Sequence, residues 1–244
     1  MSTQTFDLSD TTNIVYESNR VHKLKLDGVE IWKRNLEDFT WDEIAEISEA
    51  GLAQDYFSIG DEKTLTGIGV VQILGFNHDN LSNGLGKAGI TFGLKDLTNT
   101  LLSMSSANNT TWETSTARTV CNGSILESLP SDLQDNIKEV TKISMVQYGT
   151  NNSSTIQTND KVWMFSCKEV YDLYTDGQQY AYWELHNTNA DKIKEYRGSV
   201  MTWWLRSQYS NGTSYSSFGL VNSQGTLTYS SGYNSIGCCF GFCI

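Results

Sequence analysis

The sequence predicts an α+β fold. Strand-like runs such as Ile68 to Phe76 and Val162-Trp163-Met164-Phe165 are interleaved with short helices, three of which start at capping boxes: Thr40-Trp41-Asp42-Glu43, Ser131-Asp132-Leu133-Gln134 and Ser166-Cys167-Lys168-Glu169. The chain's one proline, Pro130, separates two helical stretches. With 244 residues, 39% of them hydrophobic, the chain suits one large domain or a domain with a small appendage, and it can bury a core without disulfide staples.

In chain order, Asn13-Ile14-Val15-Tyr16 and Val21 to Leu26 alternate apolar and polar, and Asp27-Gly28 supplies a tight turn before Val29-Glu30-Ile31-Trp32. Residues 1–34 therefore read as an N-terminal β-hairpin appendage, which either docks to a larger assembly or adds strands to the main domain, residues 35–244. From Thr40 a helix sets Ile44, Ile47 and Leu52 on one face and Glu43, Glu46 and Glu49 on a solvated one. Strand signals follow at Tyr56 to Ile59, at Thr64-Leu65-Thr66 and in a central strand from Ile68 to Phe76.

Asn77-His78-Asp79-Asn80 ends that strand. One imidazole and one carboxylate are too few ligands for a zinc or iron site, so a loop held by side-chain to backbone hydrogen bonds is expected there, not catalysis. Gly84-Leu85-Gly86-Lys87-Ala88-Gly89 matches a dinucleotide-binding glycine pattern, but the preceding strand and following helix that the mechanism needs are missing, and no cofactor is expected. Helical signals return from Leu94 to Met104, around Thr116 to Leu129, and from Ser131 towards Val140. A strand from Ile143 to Tyr148, a polar loop at 149–160, the strand from Val162 and the capped helix at Ser166 follow, and Asp191 to Tyr196 reads as a further helix.

A net charge of −11 argues against nucleic acid backbones and anionic membranes as partners. No apolar run reaches the roughly 18 residues of a membrane span, and the polar start Met1-Ser2-Thr3-Gln4-Thr5 is no signal peptide, so folding in a cytoplasm and no membrane insertion are expected. Five cysteines without paired zinc-ligand spacing read as free thiols. In Cys238-Cys239, strand alternation would turn one thiol inward and one outward.

The last fifth of the chain is set apart by what it lacks. Lys, Arg, Asp and Glu make up 18% of the residues, yet none lies after Gln208. Trp203-Trp204-Leu205-Arg206-Ser207 and Phe240-Gly241-Phe242-Cys243-Ile244 read as strands bracketing a segment of Ser, Tyr, Asn, Gly and Thr. Along the first strand Trp203 and Leu205 alternate with Trp204 and Arg206, one pair facing the core. The polar segment reads as an exposed recognition surface, because Tyr gives large contact area with few rotors while Ser, Gly and Asn give adaptable hydrogen bonds. Its candidate ligand-binding residues are Tyr209, Ser210, Asn211, Ser214, Tyr215, Ser217, Tyr229, Ser230, Ser231, Tyr233, Asn234 and Ser235. No catalytic or metal-binding residue is expected.

These brackets, with Phe218-Gly219-Leu220-Val221-Asn222, Ile73 to Asp79 and Asp160-Lys161-Val162-Trp163, resemble the C-type-lectin-like domains common in phages of Gram-positive gut bacteria, over roughly residues 36–244. Leu24 to Trp32 is similar to short β appendages of phage tail proteins. Within that fold class, the variable proteins of diversity-generating retroelements carry a C-terminal ligand-binding segment rewritten at adenines, here corresponding to 208–239. An AAC codon mutated at its adenines never yields Lys, Glu, Gln, Met or Trp, and after Gln208 only Gln224 comes from that set. The Glu-Pro-Asn, Gln-Pro-Asp and Trp-Asn-Asp motifs of calcium-dependent lectins are absent, and Cys238-Cys239 is a poor match for the reactive pair of formylglycine-generating oxidases of the same broad fold. The resemblance implies a non-enzymatic receptor-binding protein on a phage tail, or cytoplasmic before assembly, whose partner is a protein or glycan on a bacterial surface, with homo-oligomers possible. A carbohydrate-binding module and a structural tail protein are the alternatives.

Overall fold

The computed structural model describes residues 11, 14–16, 19–107, 110–147, 153–209 and 217–244. The strands are β1 (Ile14–Tyr16), β2 (Asn19–Val21), β3 (Lys23–Leu26), β4 (Val29–Lys33), β5 (Glu62–Leu65), β6 (Gly69–Phe76), β7 (Ile90–Leu94), β8 (Leu101–Leu102), β9 (Val140–Gln147), β10 (Ser153–Asp160), β11 (Val162–Met164), β12 (Lys194–Tyr196), β13 (Ser199–Met201), β14 (Trp203–Tyr209), β15 (Ser217–Val221), β16 (Leu227–Ser231), β17 (Ile236–Gly237) and β18 (Phe240–Cys243). The α-helices are short: α1 (Trp41–Glu49), α2 (Ala53–Tyr56), α3 (Thr116–Val120), α4 (Leu126–Ser128), α5 (Ser131–Asn136), α6 (Cys167–Tyr171) and α7 (Ala181–Leu185), with a π turn over Cys121–Ile125. The fold is α+β. Two five-stranded sheets, ordered β11-β18-β7-β6-β5 and β16-β15-β14-β17-β8, carry the core.

Local chemistry explains several elements. Asp27 (φ 51°) and Gly28 (φ 83°) both sit in the left-handed region that a two-residue hairpin turn demands, joining β3 to β4. At α1 the Thr40 side chain accepts from Glu43 N while the Glu43 carboxylate accepts from Thr40 N, which closes the capping box. The box at Ser166 and Glu169 closes in the same way and starts α6.

The strand β18 lies between β11 and β7, wholly buried. Gly241 pairs with Gly93 across it, and both must be glycine: a Cβ on Gly241 would lie 2.8 Å from a Phe165 ring atom, and one on Gly93 2.5 Å from Leu74 Cδ1. Their missing side chains let Phe165 and Leu74 close over the sheet.

Several expectations are corrected. Trp203, Trp204, Leu205 and Arg206 are all buried, not one pair of them: Trp203 Nε1 donates to Lys192 O, Trp204 Nε1 to Leu102 O, and Arg206 enters an ion network on the other face. Cys238 and Cys239 are both buried because they link β17 to β18 inside the core, and all five thiols are free. No helix forms from Leu94 to Met104. Its backbone is drawn instead to the distant C-terminal part of the chain, with Leu97 N donating to Glu195 O and Thr98 N to Cys238 O. Ser153–Asp160, expected within a loop, pairs along its length with β9, and the helix expected at Asp191 to Tyr196 is a 3-10 turn (Ala190–Lys192) followed by β12. Residues 56–59 hold the last residue of α2 and no strand.

Because both faces of β14 are covered, Trp203→Ala and Trp204→Ala should each open a core cavity and cost about 3–5 kcal/mol. Urea denaturation measures this, and a midpoint unchanged for either variant would contradict the two-sided burial.

Candidate functional site

The candidate surface lies where β14, β15 and β16 end together. Tyr209 pairs with Ser217 and Ser217 with Ser231, while Tyr229 pairs with Gly219, two residues along β15 and therefore on the same face. With only Ser217 and Gly219 on the intervening strand, the Tyr209 and Tyr229 rings meet over it, stacked with centroids 3.7 Å apart and planes 20° from parallel. Such a pair is worth about 0.5–1.5 kcal/mol beyond its buried area.

Tyr209, Ser217, Tyr229 and Ser231 are thus brought together across three strands. Ser230, also in β16, accepts a hydrogen bond from Asn234 Nδ2 at 2.7 Å. Tyr233, Asn234 and Ser235 are exposed in the turn after β16, and Ser210, Asn211, Ser214 and Tyr215 lie outside the described residues. Tyr229 is half-buried, so its ring is a packed part of the surface.

Sequence reasoning missed one wall of this site. The loop after α6 brings in Tyr174, whose hydroxyl is hydrogen-bonded to that of Tyr229, together with Leu173; they are 40% and 46% exposed. Tyr174 has φ 70°, a strained conformation for an aromatic residue that persists only where the surroundings impose it. The run Tyr171-Asp172-Leu173-Tyr174 directly after a capped helix was the available signal. Tyr171 donates from its hydroxyl to Gly225 O at 2.7 Å, bracing the turn before β16. Burial raises the pKa of Tyr171, and burial with the Tyr174 bond raises that of Tyr229, so both stay neutral.

Beneath the surface runs a buried charge network. Arg206, in β14, forks onto both Glu169 oxygens at 2.5 and 2.9 Å and also donates to Met164 O, Ile143 O and Ser144 Oγ. Lys142 bridges Glu169 (2.6 Å) and Asp79 (2.5 Å), and Asp79 further accepts from the hydroxyls of Thr91 and Tyr180. Asp176, in the loop that carries Tyr174, accepts from the Ser207 hydroxyl and gives its carbonyl to Arg206. Burial would push the Asp79 and Glu169 carboxyls up, but Lys142 for Asp79, and Arg206 with Lys142 for Glu169, hold both below the usual range. Burial holds Asp176 above it.

A cavity of about 220 Å³ opens onto this network between His78, Lys142, Glu169 and Gln178. His78 packs against Tyr180 with its ring tilted 37°, faces Gln179 O through Nε2 at 3.2 Å and lies 3.5 Å from Asp79 through Nδ1. The expected loop at Asn77 to Asn80 is present, but its carboxylate is a core ion. Asp79, Lys142 and Glu169 have their hydrogen-bonding capacity taken up by one another and by Thr91, Tyr180, Ser166 and Arg206, which suits a structural brace better than proton transfer. Burial pushes the Cys239 thiol up to about 12 and raises Cys167 and Cys243 as well, which removes their nucleophilic thiolate forms near neutral pH. Among the described residues no group of three or more His, Cys, Asp and Glu is placed to hold a metal ion.

A family described as a domain of unknown function, DUF6273, matches residues 93–240, from the end of β7 to the start of β18. No curated protein and no solved structure matches the chain.

The network sets a pH dependence. Glu169 and Asp79, with folded pKa values depressed, contribute stability that is present above the ordinary carboxylate range and lost as pH falls; Asp176, held up, acts in the opposite sense. Asp176 acts only above the ordinary carboxylate range, about pH 4, so below it the two depressed groups act alone and the urea midpoint should drop from about pH 4.5 to about pH 3. An Arg206→Met, Glu169→Gln double variant should show a flatter profile. Equal slopes for the two proteins would remove the network from the acid response.

Proposed function

The chain belongs to the DUF6273 family of domains of unknown function, and we propose that it is a non-enzymatic recognition protein whose contact surface is the tyrosine cluster at the end of β14, β15 and β16. The observation that carries this reading is the partly exposed Tyr209, Tyr229 and Tyr174 group, set on a rigid ionic brace, with Tyr209 and Tyr229 in a stretch without a charged residue after Gln208. Rigid aromatic anchors with small polar neighbours suit binding, because little side-chain entropy is lost on contact.

The finer reading is a C-type-lectin-like domain that serves as a phage receptor-binding protein and whose segment 208–239 is diversified by a retroelement. In its support, the segment lies between two strands that the core cannot spare, β14 and β18, so its exposed residues, such as Tyr233 to Ser235, can change while its ends stay fixed. A near-identical repeat beside a reverse transcriptase gene, with adenines at the codons of Tyr209, Ser217, Tyr229 and Tyr233, is the expected genomic signature; its absence would reduce the reading to a fixed binder.

Tyr209→Ala and Tyr229→Ala should each weaken binding to host cells by about 1–3 kcal/mol, with little dependence on salt because the β14 to β16 part of the surface carries no charge. Tyr229→Ala should also cost about 1 kcal/mol of stability from the lost stacking and hydrogen bond. Pull-down on candidate hosts at low and high salt, with melting curves, measures both. Folded variants that bind as well as wild type would overturn the assignment of this surface, and capture by purified cell-wall glycan alone would favour the carbohydrate-binding alternative.

A further inference from the structure

The two five-stranded sheets have β5, β11, β8 and β16 as edge strands, and all but β16 are closed off. In β5, Glu62 and Lys63 are charged and Thr64 N donates to Glu37 Oε2. In β11, a three-residue strand, Val162 O is taken by Asn122 Nδ2 and Met164 O by Arg206. The two-residue β8 has Leu102 O occupied by Trp204 Nε1. Short length, charge and side-chain capping keep an edge from pairing with another chain. β16, Leu227-Thr228-Tyr229-Ser230-Ser231, has none of these devices: it carries no charge and no proline, and its register with β15 is unbroken.

The register shows which groups are open. At the hairpin end Asn222 N donates to Thr226 O, so alternation faces Thr228 and Ser230 to β15 and turns the backbone of Leu227, Tyr229 and Ser231 outward. Among the described residues the outward N–H and C=O groups of Leu227 and Tyr229 bond to nothing. An extended backbone is what meets a row of groups at that spacing. We propose that the row is met by β16 of a second copy, antiparallel about a two-fold axis at Tyr229, so that two sheets join into one. In that register Tyr229 lies opposite the copy's Tyr229 and Thr228 opposite its Ser230. These are an aromatic pair on one face and a hydroxyl pair on the other, both of which stabilise a ladder, and no ion is buried or opposed. The Tyr209–Tyr229 stacks of the two copies then form one row across the axis.

Sedimentation velocity of the full chain over a concentration series tests this. Each copy carries a net charge of −11 while the contact is neutral, so wild type should associate reversibly, and more tightly at about 0.5 M than at about 0.05 M salt. Ser231→Pro removes an outward N–H at an exposed position of each copy and should weaken association at least about tenfold. A Thr228→Lys, Ser230→Lys variant should be monomeric, because lysines then face lysines across the axis, and so should Thr228→Glu, Ser230→Glu. Mixing the two should restore a dimer. Melting curves check that each variant folds, and Ser231→Pro decides the matter if the charged variants do not. A wild type that stays monomeric at about 100 μM in the higher salt would overturn the proposal and leave this edge to an extended segment of another protein. Folded variants that associate like wild type, or charged partners that fail to recombine, would overturn it too.

Discussion

The Arg206–Glu169 pair is the constraint on which the rest of the molecule depends. Its bidentate contact joins β14 to α6, and the remaining guanidinium donors reach Met164 in β11, Ile143 and Ser144 in β9, and Asp176 in the loop behind Tyr174. Five segments are thereby held at one planar group, whose fork geometry a lysine would not reproduce. The arrangement is costly to assemble, since ions must leave water, and costlier to break, since removing one partner strands the other's charge at about 3–5 kcal/mol. That asymmetry gives the surface above it a fixed frame: the strand that ends in Tyr209 and the loop that presents Tyr174 are tied to the same ion.

What could be read from the sequence was what is decided locally. The β3/β4 hairpin followed from Asp27-Gly28, and α1 and α6 from capping boxes that close within four residues, because turn and cap chemistry needs no distant partner. The brackets of the polar segment were legible as strands from their apolar runs. Several of the misreadings involve contacts between distant parts of the chain. Leu94 to Met104 has helical residues, but Glu195 and Cys238 claim its backbone donors from far along the chain. His78-Asp79 read as a loop held only by side-chain to backbone hydrogen bonds because Lys142 is 63 residues away. In the candidate site, Tyr209 and Tyr229 stood out by composition, whereas Tyr174 belongs to it through a positive φ that residue type does not announce.

The lack of charge in the last fifth has two physical origins. In Cys238 to Ile244, and in Phe218 to Val221, it reflects burial within the two sheets, where an unpaired ion would be prohibitive. Around Ser231 to Ser235 the residues face solvent, and burial cannot account for it. Only these solvent-facing positions, with the partly exposed Tyr209 and Tyr229, bear on the proposed recognition surface.

The central position of β18 also bears on which mutations in the polar segment the fold can tolerate. A strand flanked on both sides cannot be omitted without leaving β7 and β11 with unpaired backbone, Phe92 and Trp41 without Phe242, and Phe165 without the Gly241 backbone beneath it. Any insertion, deletion or stop codon within the polar segment that shifts or ends the reading frame replaces or removes Phe240 to Cys243, and with them the centre of the sheet. The fold thus acts as a proofreader of frame: in-frame changes at exposed positions such as Tyr233 to Ser235 leave the core intact, while frame errors yield a chain that cannot close its core and is left to proteolysis.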